Sequence, residues 1–318
     1  MVTEALLFDE VQPKPGDGLI YHHAIGSEVT EFAIKHEGPK GLVYHNITPA
    51  RYFLPYRPGF AWLLEIGRKN LVHLADHFPV SVGDSAYNAA ELAACGFSEP
   101  GVLPIIIDPD KWNIAPDGQL MDRLQDGLTN ILFVGRVAPN KRQDRLIEAF
   151  SYYRKLNPGS RLVIAGETKH SDPYFHHVLE TRQRFGLDRE VEITGQITEA
   201  QLLAYYRSAH LYWSTSEHEG FGAPLVEAMW FDVPVLALSA TTVPETLGDA
   251  GVLYQDEEDL PQVATRAFQL THDPVVRRNI IEAQRRRRLD FTPRAVWPIL
   301  EQLIQRLVLE AEPAATSS

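Results

Sequence analysis

From residue 129 onward, short apolar runs alternate with stretches in which apolar residues recur at three- and four-residue steps. The runs Asn130–Val134, Arg161–Ala165, Glu190–Thr194, His210–Ser214, Val233–Ala237 and Gly251–Tyr254 are of strand length. Strands buried on both faces read as nearly continuous apolar runs, which is how these read. Between them, Leu146, Ile147, Phe150 and Tyr153 mark one helical stripe, and Thr198 with Gln201 forms a capping-box start for the helix carrying Leu202, Leu203 and Tyr206. Such alternation predicts a parallel sheet covered by helices, with ligands beyond the carboxyl ends of the strands.

The first part follows the same rhythm less completely. Gly18–Tyr21, Gly41–His45, Val80–Val82 and Val102–Ile107 read as strands, with helices over Trp62–His77 and Ala86–Ala94. The expected organisation is α/β: a Rossmann-like unit over 1–128, a second over 129–290 with the seam at Gly127-Leu-Thr129, a helix within 291–310 that crosses back, and a tail over 311–318. The crossing helix is expected from Pro293 to about Leu309 and the disordered tail from Ala311 to Ser318.

Composition narrows the function. The chain has 318 residues, 44% of them apolar, enough for two units with proper cores. A formal charge of −12 argues against a general nucleic-acid binder. One cysteine, Cys95, excludes an internal disulfide framework and fits a reducing, cytoplasmic setting. The opening Met-Val-Thr-Glu-Ala-Leu-Leu-Phe-Asp-Glu has no basic and apolar leader pattern, and no run approaches the roughly 20 apolar residues of a spanning helix. Asn46-Ile-Thr48 is a formal glycosylation sequon that carries little meaning in that setting.

The most informative segment is Glu219-Gly-Phe-Gly-Ala-Pro-Leu-Val-Glu227, directly after the run ending at Ser214. Gly220 and Gly222 permit backbone angles that other residues resist, and Pro224 suits a first helical turn. The predicted geometry is strand, tight turn, helix. Unpaired N–H groups at such a helix start attract anions, phosphate above all. A carboxylate on either side would accept hydrogen bonds from hydroxyls, which points to a ligand with hydroxyl-rich groups flanking its phosphates, a nucleotide sugar. The plainer reading makes Glu219 a turn cap and Glu227 a solvated helix residue.

The run ending at Val134 leads into Gly135-Arg136-Val-Ala-Pro-Asn-Lys141, which places Arg136 and Lys141 at a strand's carboxyl end. A planar guanidinium and a compact ammonium together suit two adjacent phosphoryl groups. Taken alone they would be ordinary surface charges; beside the glutamate segment they gain meaning.

These residues, with Ala165-Gly166-Glu167, Gly195-Gln-Ile-Thr, Ser216-Glu-His-Glu-Gly-Phe-Gly, Pro224-Leu-Val-Glu-Ala-Met229, Val233-Pro-Val-Leu236 and Val243-Pro-Glu245, form an ordered series. The series resembles the retaining nucleotide-sugar glycosyltransferases of the GT-B fold, family 4 (glycosyl transferases group 1), over roughly 129–290. The resemblance implies two Rossmann-like units with parallel sheets facing a cleft, the first on the acceptor side. It implies that Arg136 and Lys141 hold the donor diphosphate, that Glu219 meets donor-sugar hydroxyls and Glu227 the ribose. Main-chain N–H groups over Phe221, Gly222, Ala223 and Leu225 would meet phosphates, Gly135 would belong to the donor-binding set, and Gly195, Gln196 and Ile197 would flank the base. His45 ends the strand whose histidine reaches the donor sugar; Ser85, Leu92 and Gly96 match the segment before the interdomain connection, and Asp108 its aspartate. The implied chemistry is sugar transfer from a UDP- or GDP-sugar with retention of configuration and no metal, to a glycan, lipid or small-metabolite acceptor. The family's usual opening strand and glycine-rich loop are missing: Gly16-Asp-Gly18 precedes a strand and Gly26-Ser27 is a weak substitute, so the first unit reads as shortened. Ile105 and Ile106 replace the asparagine and glycine that often precede the family's linker aspartate.

Alternatives stay open at this stage. A sugar-nucleotide epimerase would use a similar cleft, and a shortened first unit also suits a nucleotide-sugar-binding partner, half of a split transferase, or an oligomer completed by another chain. Asp108-Pro-Asp110 has the form of a metal motif, but its place after an apolar run favours a linker; His73 and His77 lie one helical turn apart without a third ligand. His218 is expected to line the cleft without acid or base work. Arg285–Arg288 and Arg51-Tyr-Phe-Leu-Pro-Tyr-Arg57 are either peripheral contacts with an inner-membrane face or, more plainly, a helix end and a surface loop.

Overall fold

The computed structural model describes residues 10–14, 16–256 and 259–311. All but the last residue of the opening segment discussed above, and the expected tail from residue 312, lie outside them. The first sheet contains β1 (Leu19–His23), β2 (Lys40–Tyr44), β3 (Val80–Gly83) and β4 (Gly101–Val102), all parallel, in the order β1-β2-β3-β4. Helices α1 (Val29–Lys35), α2 (Pro58–Leu74) and α3 (Ala86–Ala94) connect them. After α4 (Gly118–Leu124), the second sheet is built from β5 (Thr129–Val134), β6 (Ser160–Ala165), β7 (Val191–Ile193), β8 (Leu211–Ser214), β9 (Val235–Leu238) and β10 (Val252–Tyr254). Its helices are α5 (Gln143–Leu156), α6 (Pro173–Arg184), α7 (Glu199–Ser208), α8 (Ala223–Trp230), α9 (Val243–Leu247), α10 (Leu260–His272) and α11 (Pro274–Arg287), and α12 (Pro293–Ala311) follows.

The second sheet runs β10-β9-β8-β5-β6-β7, again entirely parallel. The chain winds outward from β5 in one direction, then returns to β5's other side at β8. Strand order therefore reverses between β5 and β8, the place where such sheets hold ligands. The apolar runs behave as buried strands should: Ile131, Leu132 and Phe133 are each at most 1% exposed, and the α5 stripe Leu146, Ile147, Phe150 and Tyr153 is fully buried against the sheet. Thr198 caps α7 through the reciprocal capping box with Gln201.

Among the described residues the first sheet has no reversal, and its two faces are covered differently. Residues of α2, among them Leu64, Leu71 and Leu74, pack with Leu42 and Tyr44 on one face. On the other, Leu303 and Leu307 of α12 meet Val43, Val80 and Val82. At Gly41 an added Cβ would stand 3.0 Å from Leu307.

One element departs from its sequence expectation. Val102–Ile107 was expected as a strand, but pairing stops at Val102, because Pro104 has no N–H to give and the chain must leave the sheet as the connection between units. Only Leu103 N, donating to Gly83 O at 2.8 Å, extends the ladder; Ile107 N bonds instead to Phe291 O at 2.8 Å.

Candidate active site

Two loops leave the sheet where its order reverses. After β5, Gly135 (φ 155°) and Gly166 (φ 147°) lie so close that a Cβ on Gly166 would stand 2.3 Å from Gly135 O. Glycine is required there, and the turn sends Arg136 to Lys141 over the sheet's edge. Gln143 Nε2 pins that loop by donating to Arg136 O at 2.9 Å. After β8, Thr215 Oγ1 donates to Lys141 O at 3.1 Å and Arg142 O at 2.8 Å, Glu217 N donates to Asn140 O at 2.9 Å, and Asn140 Nδ2 donates to His218 O at 3.0 Å. Arg142, in left-handed backbone (φ 51°), forms ion pairs with Glu217 and Asp144. The two loops are thus one hydrogen-bonded body.

Their ends converge. Arg136, Lys141, His45, His218 and Glu219 line one cavity of about 380 Å³, with Asn46 and Gly220. Lys141 Nζ stands 2.5 Å from Glu219 Oε2 in a pair mostly shielded from solvent. Arg136 is exposed, and its guanidinium has no ion-pair or hydrogen-bond partner among the described residues. The cavity therefore holds one compensated cation and one free cation, a surplus of positive charge suited to an anionic ligand. Glu219 is held through its main chain: its N donates to Thr241 Oγ1 at 3.0 Å and its O accepts from the same hydroxyl at 2.9 Å. Gly222 (φ 84°, ψ 44°) turns the chain into α8, with Pro224 in its first turn.

The first unit meets this body at Gly220. A Cβ there would stand 2.5 Å from His45 O, so the two main chains touch. Gly220 O accepts from Ser85 Oγ at 3.2 Å and Asn88 Nδ2 at 2.9 Å. Glu245 reaches across to the start of α3, where its carboxylate accepts from Ala86 N at 2.7 Å and Tyr87 N at 3.2 Å. An acid at a helix N-terminus is favourably placed.

His45 is more engaged than its sequence position suggests. Its Nε2 lies 2.7 Å from His22 Nδ1 with the rings stacked, and its Nδ1 lies 3.4 Å from Asp84 Oδ2. Burial raises the Asp84 carboxyl above its usual range, and burial followed by the neighbouring His45 lowers His22. His218, buried and close to Arg68, Lys141 and Arg51, is pushed down to about 4, first by burial and then by those cations. It is neutral near pH 7 and suits a cleft wall better than a proton carrier.

Other positions fall further out. Glu227, on α8, accepts from Lys111 Nζ at 2.8 Å and from Tyr206 OH at 2.9 Å. The Phe221 side chain is buried beside Ile107, Val226 and Phe291, so only its main chain faces the loop. Gly195 (φ 70°), Gln196 and Ile197 follow β7 at the sheet's edge; Gly195 bridges to Gly166, and none of the three lines the cavity of Arg136. Asp108 caps a short 3₁₀ turn, accepting from Asp110 N at 3.0 Å, while His73 and His77 are exposed. Among the described residues no cluster of His, Cys, Asp and Glu is arranged to hold a metal ion, and no helix is long and apolar enough to cross a membrane.

The arginine-rich stretches are built into the protein. Tyr56 packs edge-on against Tyr174 of α6 with ring centroids 5.2 Å apart, and Arg57 lies 3.7 Å from Asp172, so Arg51–Arg57 is a seam between the units. Arg285 and Arg288 pair with Asp232, and Arg287 pairs with Asp290 and donates to Glu245 O; Arg285 and Arg286 remain mostly exposed.

Sequence reasoning missed His22, Asp84, Lys111 and Tyr206. Lys111 and Tyr206 reach Glu227 only through the packing of the connection and α7 against α8, which local pattern does not show. His22 and Asp84 reach His45 only through strand pairing that a single sequence does not reveal.

Two parallel Rossmann-like sheets facing each other across a cleft, with a C-terminal helix returning to the first, define the GT-B fold. The model of the glycosyl transferases group 1 matches residues 123–287, and the chain belongs to that family. The D-inositol 3-phosphate glycosyltransferase of Segniliparus rotundus is 30% identical over 162 residues, 46% of this chain and 36% of that protein. Among solved structures, the sucrose-phosphate synthase from Thermosynechococcus elongatus superposes with a TM-score of 0.72 at 19% identity, covering 88% of this chain and 70% of that one. Anabaena HepE, in complex with UDP and glucose, gives 0.68 at 20% identity, covering 85% and 72%. The matched stretch spans about a third of the length of that inositol-phosphate enzyme and of two further curated relatives.

Proposed function

We propose that the chain transfers a sugar from a nucleotide-diphosphate sugar, a UDP- or GDP-sugar, to a glycan, lipid or small-metabolite acceptor, with retention of configuration. The observation that carries this reading is the convergence of Arg136, Lys141 and Glu219 on one cavity at the point of strand-order reversal. Cleaving a sugar–phosphate bond leaves positive charge at the anomeric carbon and negative charge on the departing diphosphate. An enzyme gains most from charges fixed where that separation develops.

In this reading Arg136, Lys141 and the α8 start receive the diphosphate. Glu219 leaves Lys141 for the sugar's hydroxyls when phosphate takes the ammonium. Glu227 serves the ribose, and residues 195–197 flank the base. The main chain at His45 and Gly220 forms the wall beside the reacting carbon, residues 1–128 present the acceptor, and residues 129–290 bind the donor. Retention follows if the acceptor attacks the face the diphosphate leaves, with a phosphate oxygen taking its proton.

A second reading is favoured by the first sheet, whose four strands show no order reversal: the chain binds a nucleotide sugar and needs a complementing chain for turnover. A thermal-shift screen against UDP-, GDP- and ADP-sugars, followed by donor hydrolysis and transfer assays, separates the two. Stabilisation with turnover supports transfer; stabilisation without turnover supports the second reading; no stabilisation by any donor contradicts both.

A further inference from the structure

Glu227 is the carboxylate assigned above to the donor ribose, and it is not free. Its side chain is 13% exposed, and each oxygen already accepts one hydrogen bond: Oε2 from Tyr206 OH, which lies within the core, and Oε1 from Lys111 Nζ at 2.8 Å. Lys111 does not belong to the donor-binding sheet. It sits in the 3₁₀ turn Pro109–Trp112 of the connection between the two sheets, a turn capped by Asp108. That turn is fastened to the end of α8: the Trp112 ring lies 4.9 Å from Phe231 and 6.3 Å from Trp230, and Lys111 Nζ lies 4.7 Å over the Trp112 ring.

Resting on that reading of Glu227, we propose that Lys111 is a positioning residue for the donor ribose, holding the Glu227 carboxylate aimed so that its remaining lone pairs receive the two ribose hydroxyls. The chemistry is a matter of counting and charge. A carboxylate offers about four acceptor sites; Tyr206 and Lys111 fill one on each oxygen, leaving one on each for a vicinal diol. An unpaired carboxylate this shielded is costly. The ammonium cancels that charge without competing for the diol's sites. Because Lys111 comes from the connection between units, the ribose contact is also tied to how the first unit is carried.

The test uses the full chain and calorimetric titration with UDP, GDP and ADP, then pairs the diphosphate that binds with its dideoxy counterpart, which lacks both ribose hydroxyls. The wild type should prefer the ribose form by at least about tenfold, since hydrogen bonds to a charged acceptor are strong. Lys111→Met should weaken the ribose form by roughly tenfold and leave the dideoxy form unchanged, so that the preference collapses, while Lys111→Arg should keep most of it. Equal weakening of both forms would place Lys111 in general charge attraction and overturn the proposal. A preference abolished by Glu227→Gln but untouched by Lys111→Met would overturn it while leaving the reading of Glu227 intact. A preference untouched by Glu227→Gln, or no binding of any of the three diphosphates, would remove that reading and the proposal with it.

Discussion

The two sheets of this protein present different edges because they differ in strand order. In the six-stranded sheet the order reverses beside β5, and the two loops flanking that point carry Arg136, Lys141 and Glu219 into one cavity. In the four-stranded sheet the strands follow in sequence, so its described strands have no point of reversal. What it presents at its carboxyl edge is a row of side chains, His22, His45 and Asp84, and a main-chain surface against which Gly220 lies. A binding crevice thus comes from topology, whereas the opposing wall needs only strands that end in the right place.

The sharpest way to break this picture is at the joint. Gly220→Val places a side chain where His45 O already stands at 2.5 Å, so the units must part. Loss of turnover by more than about a hundredfold is expected, with a lowered unfolding midpoint. Unchanged rates would mean that the two surfaces are not in contact in the working protein.

Next in size is the crevice itself. Glu219→Ala and Lys141→Ala should each reduce turnover by on the order of a hundredfold, as removal of groups that act on developing charge or donor position does. Steady-state kinetics with near-normal rates in both variants would remove the second sheet from the chemistry.

The first sheet's dependence on a borrowed helix gives a stability test. Leu307, 6% exposed, fills the groove over Gly41, so Leu307→Ala should cost about 2–4 kcal/mol in denaturant unfolding. A cost near zero would show that α12 is not what closes that face.

The smallest effect expected is in pH. His218 in the folded protein is depressed to about 4 from an ordinary 6.5, so the unfolded chain binds the extra proton between those values. Stability contributed by keeping His218 neutral is complete above about pH 7 and is lost as pH falls from 6.5 towards 4, by at most about 3 kcal/mol. His218→Asn should flatten the unfolding free energy over that window. An unaltered pH profile would mean that His218 is not shielded between the units.

The same contrast governs what could be read from the sequence. The six strands of the second sheet were visible because burial on both faces leaves apolar runs, and the residues of the loops after β5 and β8 were visible because glycine, proline and charge fall at fixed places around strand ends. β1 to β4 were legible as strands, but β4 was overextended: residues 103–107 have strand-like composition, yet serve as the connection, and composition cannot tell extended chain in a sheet from extended chain beside one. The partners of the site were hidden for a different reason. Lys111 meets Glu227, His22 meets His45 and Glu245 meets α3 across long sequence separations, and such contacts are set by how the units pack. In the arginine-rich stretches the plainer expectation holds for Arg285–Arg287, which close α11 as a helix end with Arg285 on Asp232, while Arg57 reaches Asp172 across the units, a contact that local pattern does not show.

The central claim is that cations from the loop after β5 and an acid from the loop after β8 grip opposite sides of one donor. The most direct measurement is a crystal structure of the protein with a nucleoside diphosphate and its sugar. Phosphate oxygens within hydrogen-bond reach of both Arg136 and Lys141, with Glu219 turned from Lys141 to the sugar, are the predicted result. A nucleotide seated elsewhere, with the Lys141–Glu219 pair intact and Arg136 untouched, would contradict it.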